Sequence, residues 1–452
     1  MDNKPIRSAT KRPTSGKPRS IPESQNPLGA LGQALLIASS VIGQVRDGAA
    51  LSDVLSREWS RQGDLSGHVR GKAQDLIYGT LRDFGRGEVI LKNLAERGIN
   101  HGQIVGLLYT AIHILETGSE TAHATVDQSV MVAKQLAEGR FSGLVNGILR
   151  NYLRMKVDFD RKLHVEEVTN LRLPRWWIVK LRKTYPSQWM EIIEATNSHP
   201  PMCLRVNRRK VRRSVYLNRL TEAEIAGEKI GRDGILLKDP VPVQRLPGFA
   251  EGHVSVQDAS AQLAQHWLDA KAGMHVLDAC AAPGGKTCHM LEYADCDLLA
   301  LDSETSRSQK IQENLTRLHL QAQLKVADAR NVSDWWDGKP FDRILADVPC
   351  SASGVVRRQP DIKWHRQQDD LNTFTQIQSE ILDALWQTLK PGGRLLYATC
   401  SVFPEENSIQ ITRFVSRTPD AHRVLIDGKV ERQILPNAQQ DGFYYALLEK
   451  NA

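Results

Sequence analysis

No two of the six cysteines stand in a C-x-x-C pair, which excludes a zinc ribbon. Six thiols in 452 residues are too sparse for a disulfide scaffold, so reduced thiols and a cytoplasmic setting are expected. No apolar run reaches the roughly 18 residues that a membrane helix needs. One stretch, LGALGQALLIASSVIG, follows a basic leader as a secretory signal would. The leader is too long, however, and Gln33, Ser39 and Ser40 break the run. Leu31, Leu35, Ala38, Ile42 and Val45 recur at helical spacing, so an amphipathic helix is predicted there.

What the chain has in excess is positive charge. Charged residues are 25% and the hydrophobic set 41%, as in globular proteins, and the formal net charge is +7. That balance suits a polyanionic partner, most simply nucleic acid. Residues 1–27 are rich in Lys, Arg, Pro and Ser and read as a basic, disordered tail. Residues 28–165 carry a helical period throughout, as in QIVGLLYTAIHIL, and form an all-α domain. Residues 166–255 are read as a small α/β connector. Within it Arg205, Arg208, Arg209, Arg212 and Arg213 crowd together with no acid among them. A solvated face and a phosphate-contacting patch both fit, and the unbalanced charge favours the patch. Residues 256–452 alternate apolar strands (MHVLDA, DLLALD, QLKVAD, DRILAD, GGRLLYAT) with helices. This predicts a doubly wound parallel sheet of Rossmann type. The late DGFYYALLEK is expected as an antiparallel edge strand.

DACAAPGGKT, residues 278–287, resembles a P-loop whose first glycine is replaced by Cys280. The other strand ends argue for a different ligand. Asp278, Asp302, Asp328 and Asp347 each close a strand, and a triphosphate site would not surround itself with carboxylates. Asp302 stands where a dinucleotide fold binds ribose hydroxyls, yet G-x-G-x-x-G is missing, which argues against NAD. S-adenosylmethionine fits, with an adenine, a ribose, a sulfonium and no phosphate. Lys286 is then expected beside the cofactor or Asp302.

Two cysteines follow strands in DVPCSASG (Cys350) and ATCSVFPEEN (Cys400). Methylation of a pyrimidine ring carbon gives thiols a purpose. C5 is a poor nucleophile until a thiolate adds to C6. The C5 proton must then leave and the thiolate must be expelled. Asp347 is placed to assist addition by an interaction near N3. The Asp-Val-Pro-Cys sequence at 347–350 differs from the Asp/Asn-Pro-Pro-aromatic turn of amine methyltransferases. Chemistry alone does not rank the two thiols.

DACAAPGGKT, ADVPCSASGVVRRQPDIKW and YATCSVFPEEN together resemble the motif set of the RNA cytosine-C5 methyltransferases, and SVQDASAQL is also typical of them. The helical N-terminal half is similar to the RNA-binding factor NusB, a combination that resembles the family's bacterial small-subunit rRNA members. The resemblance implies a NusB-like all-α domain, a small α/β connector and a class I methyltransferase domain. It implies S-adenosyl-L-methionine as cofactor, held by Cys280, Ala281, Ala282, Pro283, Gly284, Gly285 and Lys286. Asp302 would take the ribose, Asp328 would lie by the adenine, and Asp347 by the methionine end and the target base. Cys400 would be the nucleophile and Cys350 would help release product. The substrate would be 16S rRNA, at cytosine 967, with another RNA such as tRNA, or a non-catalytic assembly role, as alternatives. No metal, membrane or obligate protein partner is expected. In RRQPDIKW, Arg357 and Arg358 are candidate phosphate contacts, while Trp364 is expected to pack.

Overall fold

The computed structural model describes residues 28–63 and 65–451; the predicted basic tail lies outside them. They divide into two compact units, 28–80 with 90–156, and 81–89 with 157–451.

The first unit contains helices and no strand among its described residues. The stretch that imitates a signal sequence is the helix Ala30–Arg46. Its Leu31, Leu35, Ala38, Ile42 and Val45 are all buried, as their spacing predicts. It packs along the helix Gly102–Thr117. The contact is close because Gly106 has no side chain: a Cβ there would sit 2.3 Å from the Ser39 carbonyl oxygen. Among the described residues, no helix is long and apolar enough to cross a membrane.

The second unit carries two sheets. The smaller joins β1 (Cys203–Val206), β2 (Gly227–Ile230), β3 (Gly234–Leu237) and β4 (Val254–Val256) in the order β2-β3-β1-β4, all antiparallel. The helix Arg213–Glu222 packs on it through Tyr216 and Leu220.

The larger sheet contains β5 (His275–Ala279), β6 (Asp297–Asp302), β7 (Gln323–Val326), β8 (Phe341–Asp347), β9 (Leu389–Thr399), β10 (Ala421–Val424), β11 (Arg432–Ile434) and β12 (Phe443–Lys450). Its order is β10-β12-β9-β8-β5-β6-β7, with β11 beside β12. The five strands β5 to β9 are parallel. Each begins or ends as its apolar run predicts; β5 is buried throughout, as a central strand covered on both faces requires, whereas the edge strand β7 is mostly exposed. The chain reverses direction across the sheet between β5 and β8, so their carboxyl ends open a crevice there.

The expectation for β12 needs correction. It is antiparallel, but it lies inside the sheet between β9 and β10 rather than at the edge. Phe443 through Leu448 are buried without a break, the pattern of a strand covered on both faces. The edge belongs to β10, four residues long, whose brevity suits an edge.

Candidate active site

Asp278 falls within β5, Asp302 and Asp347 end β6 and β8, Asp328 follows β7, and Cys400 follows β9. Parallel pairing therefore gathers them at one end of the sheet. After β5 the chain turns sharply. Cys280 (φ 61°) and Gly284 (φ 91°) both adopt left-handed backbone, and a Cβ on Gly284 would meet Ile311 Cα at 3.1 Å. The helix Gly285–Tyr293 then begins. Thr287 Oγ1 donates to Asp278 Oδ2 at 2.6 Å, tying the helix to β5. Asp278 is fully buried and its other oxygen has no partner. Burial raises its carboxyl to about 7, against the Thr287 bond.

Asp302 is placed by the same loop. Its two oxygens accept the Ala282 N–H at 3.0 Å and the Glu304 N–H at 3.2 Å. Lys286, expected beside the cofactor or Asp302, donates to Asp347 Oδ2 at 2.6 Å and lies 5.0 Å from the Phe443 ring centre. Burial alone would weaken its hold on a proton. Asp347 and the Cys400 sulfur more than compensate, so the ammonium is held above its ordinary range.

A cleft of about 130 Å³ opens beside this loop, lined by Cys280, Leu301, Asp302, Asp328, Ala329, Pro349, Ile377 and Ile381 among others. Its mixed character fits S-adenosylmethionine: Leu301, Ile377 and Ile381 offer apolar faces for adenine. The Asp302 carboxylate, with one bond per oxygen, retains lone pairs for hydroxyls. The cleft's cations are already paired, Arg307 with Asp302 at 3.8 Å and Arg330 with Asp328 and Glu380. Asp328 lines the cleft as expected, but its carboxylate is taken by the Arg330 guanidinium fork at 2.7–3.0 Å. These bonds also lower its carboxyl pKa.

The two thiols meet: Cys350 Sγ lies 3.3 Å from Cys400 Sγ. The bond to Cys400, then burial, pushes the Cys350 thiol well above its usual range. Behind both stands a residue to which the sequence reading gave no role. Glu406, wholly buried, accepts bonds from the backbone and side chain of Ser351 and from Ser401 Oγ. The second glutamate of PEEN was its only sequence signal.

The candidate RNA contacts divide. Arg205 is buried: it grips Glu292 through two bonds of 2.9 and 2.7 Å, and donates to Gln257 and to the Gly285 carbonyl, both at 2.6 Å. It is a strut between β1 and the helix Gly285–Tyr293 and cannot reach RNA phosphate. Arg357 is equally enclosed, donating to Asp441 at 2.6 Å and to the Asn437 carbonyl at 2.8 Å. Arg358 pairs with Asp441 and Asp258. These two arginines clamp loops of the domain, and the phosphate expectation for them is withdrawn. Arg213 donates to the Ile230, Gly231 and Gly234 carbonyls, which pins the β2–β3 turn. Arg208, Arg209 and Arg212 remain exposed. Trp364 packs as expected: its Nε1 donates to the Leu81 carbonyl at 2.8 Å, and it lies against Gly85.

Asp233, His266 and His289 gather closely enough to suggest a metal. Asp233 Oδ2 lies 3.2 Å from His266 Nε2 and 3.3 Å from His289 Nε2, and accepts the Tyr293 hydroxyl at 2.5 Å. The Nδ1 of His289 has no partner, whereas a metal-bound histidine normally donates from its second nitrogen. Burial lowers His289 to about 3. The cluster acts as a second polar tie between the connector and the helix Gly285–Tyr293.

Comparison with known proteins agrees with this geometry. A model described as 16S rRNA methyltransferase RsmB/F matches residues 265–449, an RsmF/B-like ferredoxin-like domain matches 173–244, and the NusB family matches 33–154. A Vibrio cholerae protein named ribosomal RNA small subunit methyltransferase B is 43% identical, covering 94% of this chain and 99% of its own. The chain belongs to the RsmB/F methyltransferase family. It is an S-adenosylmethionine-dependent RNA cytosine-C5 methyltransferase with a NusB-like helical domain. A Pseudomonas putida relative of the same name is 42% identical over 89% of this chain and 97% of its own. Among solved structures, PH0851 shares the fold, with a TM-score of 0.81, 22% identity, and coverage of 96% of this chain and 100% of that one.

Proposed function

We propose that the chain methylates C5 of a cytosine in 16S rRNA, at position 967, through a covalent bond between Cys400 Sγ and C6 of the base. The 3.3 Å contact between Cys350 and Cys400 carries this reading. Two thiols at one reaction centre have no use in simple nitrogen methylation. They suit ring-carbon chemistry, where a bond must be made and later broken.

S-adenosylmethionine, held between the 280–286 loop and Asp302, supplies an electrophilic methyl group. Cys400, on the exposed side of the sulfur pair, adds to C6 and makes C5 nucleophilic. Asp347, fixed by Lys286, lies beside the base and favours addition through N3. Once C5 carries the methyl group, water takes the C5 proton, the electrons of that C–H bond form the C5=C6 double bond, and the Cys400–C6 bond breaks with its electrons on the Cys400 sulfur. Cys350, kept protonated by its neighbour and by burial, assists that release by donating to the departing Cys400 thiolate. Reaching C6 requires the cytosine to be out of its stack. The relatives named small-subunit rRNA methyltransferases support rRNA over tRNA as substrate.

Transfer of tritiated methyl to naked 16S rRNA tests the activity. Label incorporated at the proposed cytosine supports it; label only in tRNA, or RNA binding without transfer, overturns it. The thiol roles are tested on denaturing gels. Cys350→Ala is expected to accumulate an enzyme–RNA adduct, and Cys400→Ala to form none. The reverse pattern would exchange the two assignments.

A further inference from the structure

The bonds that hold the two thiol loops together converge on one carboxylate. Glu406 Oε1 accepts the Ser351 N–H at 2.7 Å and Gln378 Nε2 at 3.2 Å. Oε2 accepts the hydroxyls of Ser351, at 2.6 Å, and Ser401. Ser351 follows Cys350 and Ser401 follows Cys400, so a single group grips the residue next to each sulfur. Ser353 completes the ring, 3.1 Å from Ser351 Oγ and 3.0 Å from Ser401 Oγ, and accepts the Val402 N–H at 2.9 Å. Gln378 also donates to the Pro349 carbonyl at 3.0 Å, which braces the Cys350 loop from behind.

Enclosing a carboxylate without a cation is costly. Among the described residues, Glu406 makes no ion pair, and burial raises its pKa against the bonds from Ser351 and Ser401. What the network gives in return is geometry, since a fully bonded buried group fixes the segments that bond it. We propose that Glu406 is a positioning residue that holds Cys350 Sγ in reach of Cys400 Sγ, and so governs release of the covalent intermediate more than its formation. The proposal rests on the covalent reading above. Formation requires Cys400, the base and the methyl donor. Release also requires Cys350, and Glu406 is the carboxylate that bonds the neighbours of both sulfurs, with the Ser353 hydroxyl bridging the same two serines.

The test uses the full-length chain and Glu406→Ala, Glu406→Gln, Cys350→Ala and the Cys350→Ala/Glu406→Ala double variant. Adduct formation and decay are timed separately on denaturing gels after rapid mixing with rRNA. In Glu406→Ala, decay is expected to slow at least tenfold more than formation. Glu406→Gln keeps one acceptor oxygen and is expected to recover part of the loss. Adding Glu406→Ala to Cys350→Ala is expected to change decay by less than twofold, because the two act on one step. If Glu406→Ala does not fold, the Ser351→Ala/Ser401→Ala pair removes both hydroxyl donors and carries the same comparison. Equal slowing of formation and decay, or multiplying effects in the double variant, would overturn the proposal. An absence of adduct in both Cys350→Ala and Cys400→Ala would overturn the covalent reading, and the proposal with it, which separates the two failures.

Discussion

At the scale of single residues, burial repeatedly decides which charges remain available. Lys363 lies in RRQPDIKW, among candidates for RNA contact, yet it is wholly buried and donates to Asn197 Oδ1. Burial lowers its ammonium from 10.5 to about 7, with Asp83 opposing the shift. The sign of the consequence follows directly. Between pH 7 and 10.5 the unfolded chain keeps this proton and the folded chain releases it, so stability from this group rises with pH across that window. Below pH 7 both states are protonated and the full cost of burying the charge is present. Lys363→Met should therefore gain most at pH 7 and least at pH 9.5. Denaturant midpoints of both proteins at the two pH values check this. An equal difference at both would mean that the ammonium is not desolvated.

At the scale of elements, the decisive connections link segments far apart in sequence. β1 reaches the helix Gly285–Tyr293 through Arg205 and Glu292, 87 residues apart. Both side chains are fully buried. Removing one partner leaves an uncompensated charge, which costs about 3–5 kcal/mol. Arg205→Met is expected to lose stability on that order and to weaken cofactor binding, since Arg205 also holds the Gly285 carbonyl. Replacing both with apolar residues (Arg205→Met/Glu292→Leu) should recover much of the stability. Calorimetry and cofactor titration of the two variants separate these effects. The same pair shows what the sequence made legible. The parallel strands, the glycine turn after β5 and both thiols could be read from local pattern, because a strand run or a glycine turn is written in adjacent residues. Arg205 and Arg357 were misread as RNA contacts because their acids, Glu292 and Asp441, lie far along the chain. Arg208, Arg209 and Arg212 have the same local composition and are exposed; nothing local separates the two sets. Glu406 went unnoticed for the same reason: two of its donors, Ser351 and Gln378, sit on other segments. The internal place of β12 was signalled by its unbroken apolar run, but the short β10 that covers it carries little pattern of its own.

For the whole molecule, a net charge of +7 measures attraction to RNA only through the cations left at the surface. Arg205, Arg357 and Arg358 are paired internally, and Arg213 is spent on backbone carbonyls. Arg208, Arg209 and Arg212 are the exposed remainder of the connector cluster. Arg208 lies over the Tyr293 ring, 4.2 Å away, and Arg209 pairs with Asp295 at the surface. An exposed pair of that kind contributes about 0–1 kcal/mol, so neither contact removes these cations from RNA. Replacing the three with glutamine lowers the formal charge from +7 to +4. If all three meet phosphate on single-stranded RNA, the slope of log K against log salt should fall by about 2, at roughly 0.7 per contact. Folding stability should change little, because surface substitutions of this kind usually stay within about 0.5 kcal/mol each. Arg357→Gln should behave in the opposite way, costing stability while leaving the salt slope of any folded protein unchanged. Filter binding across a salt series, with thermal melts of the same samples, reads both quantities. An unchanged slope in the triple variant would assign the connector cluster to solvent and move the RNA-binding face elsewhere.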